Sequence, residues 1–488
     1  MAKVINSCFT LNPEILKPLV VDLDGTLIKT DLLYQSLFSY VKRYPLTLFS
    51  PFVWLSRGKS QLKEELARHI DIDVSVLPYN QTVLEFIKAE RSKNRPIILA
   101  TASHRIHADR IAQHLRVFDE VMATEGQVNL SAATKRDCLV SAYGRNGYDY
   151  IGNSQADMVV WESAEKAYLV NPEPAVERRM SGKPGVERIG TPVPHGIRLW
   201  QRALRTHQWL KNVLLFVPLI AAHRFGDLQA ILTGLLAFML FSLCASSVYI
   251  LNDLMDMEDD RHHRTKRTRP FASGDLPIKA GIAAFLLLLL VSFSLSWLLM
   301  PWRFRIVLGV YYALTLMYSF VLKKIIVSDI IILSLLYTTR ILAGTYAFDL
   351  LPTYWMLAFS MFIFLSLALV KRYSELRDAR ENGRSAQTKG RGYYPSDLEM
   401  IAALGAASGY LSVMVMALYI QDPETVRLYN NPKIIWLACP VLLFWITRVW
   451  LLAHRGAVHD DPVIFAVTDK ASIVAGAVFG LIFVMAAM

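Results

Sequence analysis

Residues 228–260 read LQAILTGLLAFMLFSLCASSVYILNDLMDMEDD. Leu228 to Leu251 is uncharged, and a helix needs about 20 apolar residues to cross the hydrocarbon core of a bilayer. The last eight residues, by contrast, carry Asp253, Asp256, Glu258, Asp259 and Asp260. The stretch therefore reads as a membrane-crossing helix that ends in a block of carboxylates. Working outward, further long apolar runs cover Ala280 to Leu299, Ile325 to Ala347 and Tyr354 to Val370. Nine candidate spans are centred near residues 216, 240, 289, 312, 336, 362, 409, 443 and 479, the first of which, Trp209 to Ala222, is short. Residues 198–488 are thus predicted to be an all-α polytopic membrane domain of about nine transmembrane helices.

Composition agrees with a chain that meets two solvents. Of its 488 residues, 53% are apolar and 19% charged, against about 25% charged in an average soluble domain. The net charge is +11, and the basic residues gather in loops between spans. The loops after spans two, four, six and eight hold 17 lysines and arginines, including seven between Lys371 and Arg391, whereas the alternate loops hold four. Because basic loops stay cytoplasmic, the N-terminal half is expected in the cytoplasm and the C-terminus on the outer face of a bacterial-type inner membrane. The N-terminus has no apolar signal segment. Charge placed in membrane loops suits phosphorylated substrates and anionic lipid, and no nucleic-acid partner is expected. Cys8, Cys138, Cys244 and Cys439 lack metal or disulfide spacing.

Before Pro194 the apolar runs shorten to strand length. Leu19 to Leu23, Pro96 to Ala100 and Asp149 to Gly152 read as strands, with helical patterns at Ile106 to Leu115 and Lys135 to Tyr143. Strand–helix alternation predicts an α/β, Rossmann-like domain over residues 1–170 whose working groups sit at strand C-termini. An insert at about 32–77 with helical spacing reads as a small cap. Residues 171–197, rich in proline and charge, read as a linker.

The strand-end sequence Asp22-Leu-Asp24-Gly25-Thr26 places two carboxylates beside a glycine that permits the turn. Such a pair can hold Mg²⁺, with one carboxylate attacking phosphorus and the other moving a proton. Together with Ile97-Ile-Leu-Ala-Thr101, Lys135 and Gly152-Asn153-Ser-Gln-Ala-Asp157, it resembles the haloacid dehalogenase (HAD) phosphatases over residues 18 to 171. The resemblance implies that Asp22 is the nucleophile and Asp24 the general acid and base. It implies a phosphoryl-binding hydroxyl at Thr101, a stabilising lysine at Lys135, and Mg²⁺ held by Asp22, Asp24, Asn153 and Asp157. The sequence departs from the pattern at Asn153, where an aspartate is usual, so metal affinity is expected to fall.

In the membrane half, Asp253, Asp256 and Asp260 lie within about 60° of one another on an ideal helix. Carboxylates so stacked call for a cation, and Mg²⁺ completes its shell with substrate phosphate. Arg261, Arg264, Lys266, Arg267 and Arg269 follow at once, a spacing that suits a diphosphate clamp. Asp329 and Arg340 differ by about 20° in phase, so both are predicted to face one cavity. Tyr318 and Lys323, at the inner end of span four, are further phosphate-binding candidates.

Asn252-Asp253-Leu-Met-Asp256-Met-Glu-Asp-Asp260 with its basic sequel resembles the first motif of the UbiA superfamily of intramembrane prenyltransferases, over residues 198 to 488. Ordinary members carry a second aspartate-rich motif after span six, where this chain reads Lys371-Arg372-Tyr-Ser-Glu375-Leu. That KRxxEL element, Arg205-Thr-His-Gln-Trp209-Leu-Lys211-Asn212 and His459-Asp460-Asp461-Pro462 resemble the decaprenyl-phosphate phosphoribosyltransferase branch. The resemblance implies transfer of 5-phosphoribosyl from phosphoribosyl pyrophosphate (PRPP) to a polyprenyl phosphate, with Mg²⁺ on Asp253, Asp256 and Asp260. Lys211, Asn212, Asn252, Arg261, Arg264, Lys266, Arg267, Arg269, Tyr318, Lys323, Arg340, Lys371, Arg372, Glu375, Asp460 and Asp461 become the expected substrate-binding set. The HAD-like half would then remove the 5-phosphate. The alternative is an ordinary UbiA prenyltransferase with a non-catalytic HAD-like domain.

Overall fold

The computed structural model describes residues 16–126, 128–190, 196–224, 226–382, 392–458 and 462–488. The chain divides into two compact units: Met1–Ala203 with Leu251–Ala283, and Leu204–Ile250 with Ala284–Met488.

The first unit is built on six strands, β1 (Leu19–Val21), β2 (Ile97–His104), β3 (Glu120–Thr124), β4 (Asp149–Gly152), β5 (Ala167–Val170) and β6 (Val186–Ile189). All pairings are parallel, in the order β3-β2-β1-β4-β5-β6. A parallel sheet is covered on both faces, which explains the unbroken apolar reading of β1 and of the start of β2. Side chains alternate across it: Leu19 and Val21 join one core, while Val20, Ile98, Ala100 and Tyr150 join the other. β1 is central, flanked by β2 and β4, and the chain reverses direction across the sheet there. The crevice at the carboxyl ends of such strands is where this class of fold places its chemistry.

Three helices, α1 (Leu32–Arg43), α2 (Ser50–Ser56) and α3 (Lys59–His69), form in the insert read as a cap. Asp31 starts α1 by accepting the Leu33 and Tyr34 N–H groups. The expected linker is a correction. Pro174–Met180 is helical, and β6 pairs with β5, so the domain runs through Ile189. Pro174 occupies the first helical turn, where its missing N–H costs nothing, and the exposed Glu187 and Arg188 suit an edge strand. Residues 191–195 lie outside the described residues.

The same unit includes residues 251–283, which lie against the cap. Gly274 has φ +76°, and a Cβ there would stand 2.5 Å from the Lys29 Cβ, so this approach needs glycine.

Seven helices among the described residues are long and apolar enough to cross a membrane: Leu228–Met255, Ile278–Leu299, Ser328–Ala347, Tyr354–Glu381, Pro395–Gln421, Pro432–His454 and Lys470–Ala487. Seven of the nine expected spans meet that standard of length and apolarity. Near residue 216 the chain forms a tight 3₁₀ stretch, Thr206–Phe216, and a five-residue helix, Val217–Ala221, too short to span. Near residue 312 a 19-residue helix does form, Trp302–Phe320, but Arg303, Arg305 and several polar residues leave it less apolar than the seven.

Candidate functional site

At the end of β1, Asp22 is 7% exposed and its Oδ1 receives the Lys135 ammonium at 2.6 Å. Lys135 comes from the helix Ala132–Tyr143 and also donates to the Tyr150 hydroxyl at 2.8 Å. Tyr150 in turn donates to Asp157 Oδ1 at 2.7 Å. Burial pushes the Asp22 carboxyl up to about 7, against the pull of Lys135. Although burial opposes its charge, the Asp22 and Asp157 carboxylates hold the Lys135 ammonium above the usual lysine range.

Asp24 faces the other way. Its Oδ1 accepts the Leu32 N–H at 2.8 Å and its Oδ2 the Ser103 hydroxyl at 2.6 Å. Burial, reinforced by the Asp31 carboxylate, raises it to about 6, which suits a group that gives and takes a proton near neutrality. Thr101 is fully buried in β2 and its Oγ1 accepts the Ser103 N–H at 2.9 Å. Ser103, Tyr150 and Thr26 were not anticipated from sequence. Ser103 was legible in principle, since it lies two residues beyond Thr101 on the same strand.

The four expected metal ligands divide. The Thr26 hydroxyl lies 3.4 Å from Asp22 Oδ2 and 3.3 Å from Asn153 Oδ1, so these two oxygens flank one point. Gly25, at φ +78°, lets the loop in: a Cβ there would be 2.3 Å from the Asn153 amide nitrogen. A carboxylate and an amide oxygen fit Mg²⁺ in chemistry. The Asp24 carboxylate is directed to Leu32 and Ser103 instead. Asp157 is spent on its own loop, its Oδ2 accepting from Asn153 N, Ser154 N and Ser154 Oγ. It positions Asn153 and is not directed at a metal.

The acidic segment differs from its expected geometry. The helix breaks at Asp256, which starts a new one, Met257–His262. Asp253 and Asp260, 2% and 3% exposed, share the Arg269 guanidinium at 3.2 and 2.7 Å. Asp256 turns to Lys42 on the cap, which also holds Asp259 at 2.6 Å. The three carboxylates therefore answer to two cations instead of stacking about one ion. Residues 253 and 260, two turns apart, keep one face, and the break rotates 256 away. Among the described residues, no three His, Cys, Asp or Glu side chains stand together to hold a metal; the buried Asp253–Asp260 pair fits one in charge and donor type. Arg261 is buried and donates to Ala272 O at 2.8 Å and Gln35 Oε1 at 2.9 Å, a tie to the cap. Burial lowers it to about 10. Arg264, Lys266 and Arg267 are exposed, and Asn252 is half-buried.

The second unit holds its own polar cluster. Arg340, 4% exposed, donates to Asn212 Oδ1 at 2.9 Å and the Tyr311 hydroxyl at 3.1 Å, and lies over the Tyr337 ring at 5.5 Å. Asn212 donates to Ser242 Oγ at 2.9 Å, and Lys211 lies over Tyr337 at 5.6 Å. Asp329 meets Arg372 at 2.6 Å and accepts from the Tyr393 hydroxyl at 2.7 Å. Arg372 also pairs with Glu375. Tyr318 and Lys323 are half-buried. Asp460 and Asp461 lie outside the described residues.

The pattern of the UbiA prenyltransferase family matches residues 213–468. The chain belongs to that family. Residues 19–157 match the haloacid dehalogenase-like hydrolases, so this UbiA member carries a HAD-like domain. Along 96% of its length it is 38% identical to Uncharacterized protein y4nM of Sinorhizobium fredii, 91% of which is covered. It is 39% identical to Nodulation protein NoeC of Azorhizobium caulinodans, over 58% of this chain and 92% of that one. It is 31% identical to Decaprenyl-phosphate phosphoribosyltransferase of Mycolicibacterium smegmatis, over 55% of this chain and 86% of that one. This UbiA member is therefore a multi-pass membrane protein with a transferase-type membrane half and a hydrolase-type N-terminal half.

Proposed function

We propose that the membrane half transfers 5-phosphoribosyl from PRPP to a polyprenyl phosphate at the cytoplasmic face of the inner membrane, and that the HAD-like half removes the 5-phosphate from the product. The observation that carries the reading is the identity with Decaprenyl-phosphate phosphoribosyltransferase across 86% of that protein. Lys371-Arg372, in place of an aspartate-rich second motif, supports it.

In the transfer, a lipid phosphate oxygen bonds to ribose C1 as the C1–O bond to diphosphate breaks, and diphosphate leaves with the electron pair. Asp253 and Asp260 are the proposed holders of Mg²⁺, joined by Asp256 when Lys42 releases it; the ion, when bound, would neutralise the leaving diphosphate. Arg264, Lys266, Arg267 and Arg269 would clamp its oxygens. Arg372, fixed by Asp329, would aim Lys371 and Glu375 at the ribose 5-phosphate or the lipid phosphate. Arg340, Asn212, Lys211, Asn252, Tyr318, Lys323, Asp460 and Asp461 complete the proposed substrate set. Charge fixed before the reaction should carry most of the rate.

In the hydrolysis, an Asp22 oxygen attacks phosphorus while Asp24 protonates the departing ribose 5-oxygen. Asp24, now ionised, takes a proton from water, whose oxygen attacks the aspartyl phosphorus and frees phosphate and Asp22. Lys135 and Thr101 hold the phosphoryl oxygens. Mg²⁺ on Asp22 and Asn153 would screen their charge. One chain carrying both steps raises the local concentration of the intermediate.

The test incubates the purified full chain with Mg²⁺, PRPP and polyprenyl phosphate and weighs the lipids. A phosphoribosyl mass gain followed by loss of one phosphate is expected. Isoprenoid transfer from a diphosphate donor, with no reaction of PRPP, would overturn the reading in favour of an ordinary prenyltransferase.

A further inference from the structure

Beside Asp24, a small cleft of about 10 Å³, room for one water molecule, separates the cap from the sheet. Its lining includes Ser36, Lys63, Ser103, His104 and His107. Lys63 reaches into it from α3 and donates to Ala102 O at 2.6 Å and Asn129 Oδ1 at 2.7 Å. Both partners are neutral, and among the described residues no carboxylate stands within ion-pair distance of this ammonium. The nearest acids are committed elsewhere, Asp24 to Leu32 N and Ser103 Oγ, and Asp31 to the start of α1. Burial accordingly lowers the Lys63 ammonium below the usual lysine range.

His107 gives a second, independent sign. It is 4% exposed, and neither of its ring nitrogens has a hydrogen-bond partner among the described residues. Buried polar atoms are ordinarily partnered, and those left without a partner call for an explanation such as a ligand. A half-buried ammonium with no carboxylate in direct contact and a buried imidazole without a hydrogen-bond partner among the described residues, on one cleft, are complementary to an anion with hydroxyl groups next to it.

We propose that this cleft is a subsite for a second anionic group of the HAD-like half's substrate, separate from the phosphoryl group that Asp22 attacks, with Lys63 supplying the charge and His107 and Ser36 the hydrogen bonds. The inference rests on the phosphatase reading above and sharpens its substrate class: a sugar phosphomonoester carrying a further phosphate at its other end. A phosphodiester at C1 of the ribose has that chemistry, and so does a free 1-phosphate. At its present volume the cleft admits the group only as the cap swings away from the sheet.

The full-length protein in detergent tests this with two soluble probes, ribose 1,5-bisphosphate and ribose 5-phosphate. The wild type is expected to release 5-phosphate from the bisphosphate with a kcat/KM at least tenfold higher, mostly through KM. Lys63→Gln should bring that ratio to within threefold of unity, and Lys63→Arg should keep most of it. An unchanged ratio in Lys63→Gln overturns the proposal, as does a parallel loss on both probes, which would mark Lys63 as structural. Binding supplies the readout without turnover. Asp22→Asn should bind the bisphosphate at least tenfold tighter than Asp22→Asn/Lys63→Gln does, with ribose 5-phosphate bound equally by the two. Equal affinity for the bisphosphate overturns the subsite. A positive binding result without release of phosphate from either probe leaves the subsite standing and removes the phosphatase reading.

Discussion

Two regions of the first unit bring carboxylates to the end of a secondary-structure element beside a cation, and they do so differently. Around Asp22, neighbours are short and many: a backbone N–H and a hydroxyl fix Asp24, three donors fix Asp157 Oδ2, and Lys135 is 4% exposed. Around Asp256, carboxylates are held by long side chains, Lys42 and Arg269, that remain part-exposed. The first pocket is over-determined by the fold, as a site must be when reacting atoms are placed within fractions of an ångström. The second is neutralised by cations that can withdraw, which suits a site that exchanges one positive partner for another on binding substrate.

The sharpest way to break this comparison is to separate the two chemistries. Asp22→Asn should abolish phosphate release, by on the order of 10³-fold or more, and leave phosphoribosyl-lipid to accumulate. Asp256→Ala should cut transfer by about 10²–10³-fold while phosphate release from a soluble sugar phosphate persists. Mass analysis of lipids and a phosphate assay read both, and joint loss in either variant would show that the sites are not independent.

Next in size is the buried pair of the second unit. Asp329→Asn leaves Arg372, 1% exposed, with only the part-exposed Glu375 as a charged partner, which should cost on the order of 3 kcal/mol. Thermal unfolding in detergent would show it, with partial recovery in Asp329→Leu/Arg372→Met. A wild-type melting temperature for Asp329→Asn would refute the pairing.

A third effect comes from His107, whose imidazole burial lowers to about 4, with His104 and Arg110 also opposing its charge and Asp71 favouring it. The folded state prefers the neutral ring, so the unfolded chain binds the extra proton. Stability of the HAD-like domain should be intact above about pH 6.5 and decline as pH falls from there to about 4, by about 3 kcal/mol in all. Denaturant melts at stepped pH would follow this, and His107→Phe should flatten the profile in that window.

The smallest effect belongs to Lys42. Its partners are part-exposed, so Lys42→Met should change stability by less than about 1 kcal/mol. It should nonetheless lower the Mg²⁺ concentration that half-saturates transfer by a few-fold, since Asp256 loses a competing cation. A rise in that concentration would show that the cap lysine assists the site.

Much of the architecture was legible because it is written locally. Carboxylates at the end of β1, an apolar run of bilayer length and an insert with helical period each announce themselves within a few turns of chain. Readings failed where a local cue had two meanings. Proline and charge after residue 171 marked an edge strand and helix start as much as a linker, and the short run near 216 was apolar without being long enough to span.

The sequence by itself determined that a strand-and-helix hydrolase-type domain precedes a bundle of membrane helices, and which carboxylates and cations are available for phosphate chemistry. Only the tertiary structure decided how these are matched: Arg372 with Asp329, Lys42 with Asp256, Asp157 with its own loop, and Lys63 with the neutral oxygens of Ala102 and Asn129. The reason is that periodicity fixes the face of an element on which a side chain lies, whereas the partner of a long charged side chain is set by whichever distant segment folding brings within about 3 Å.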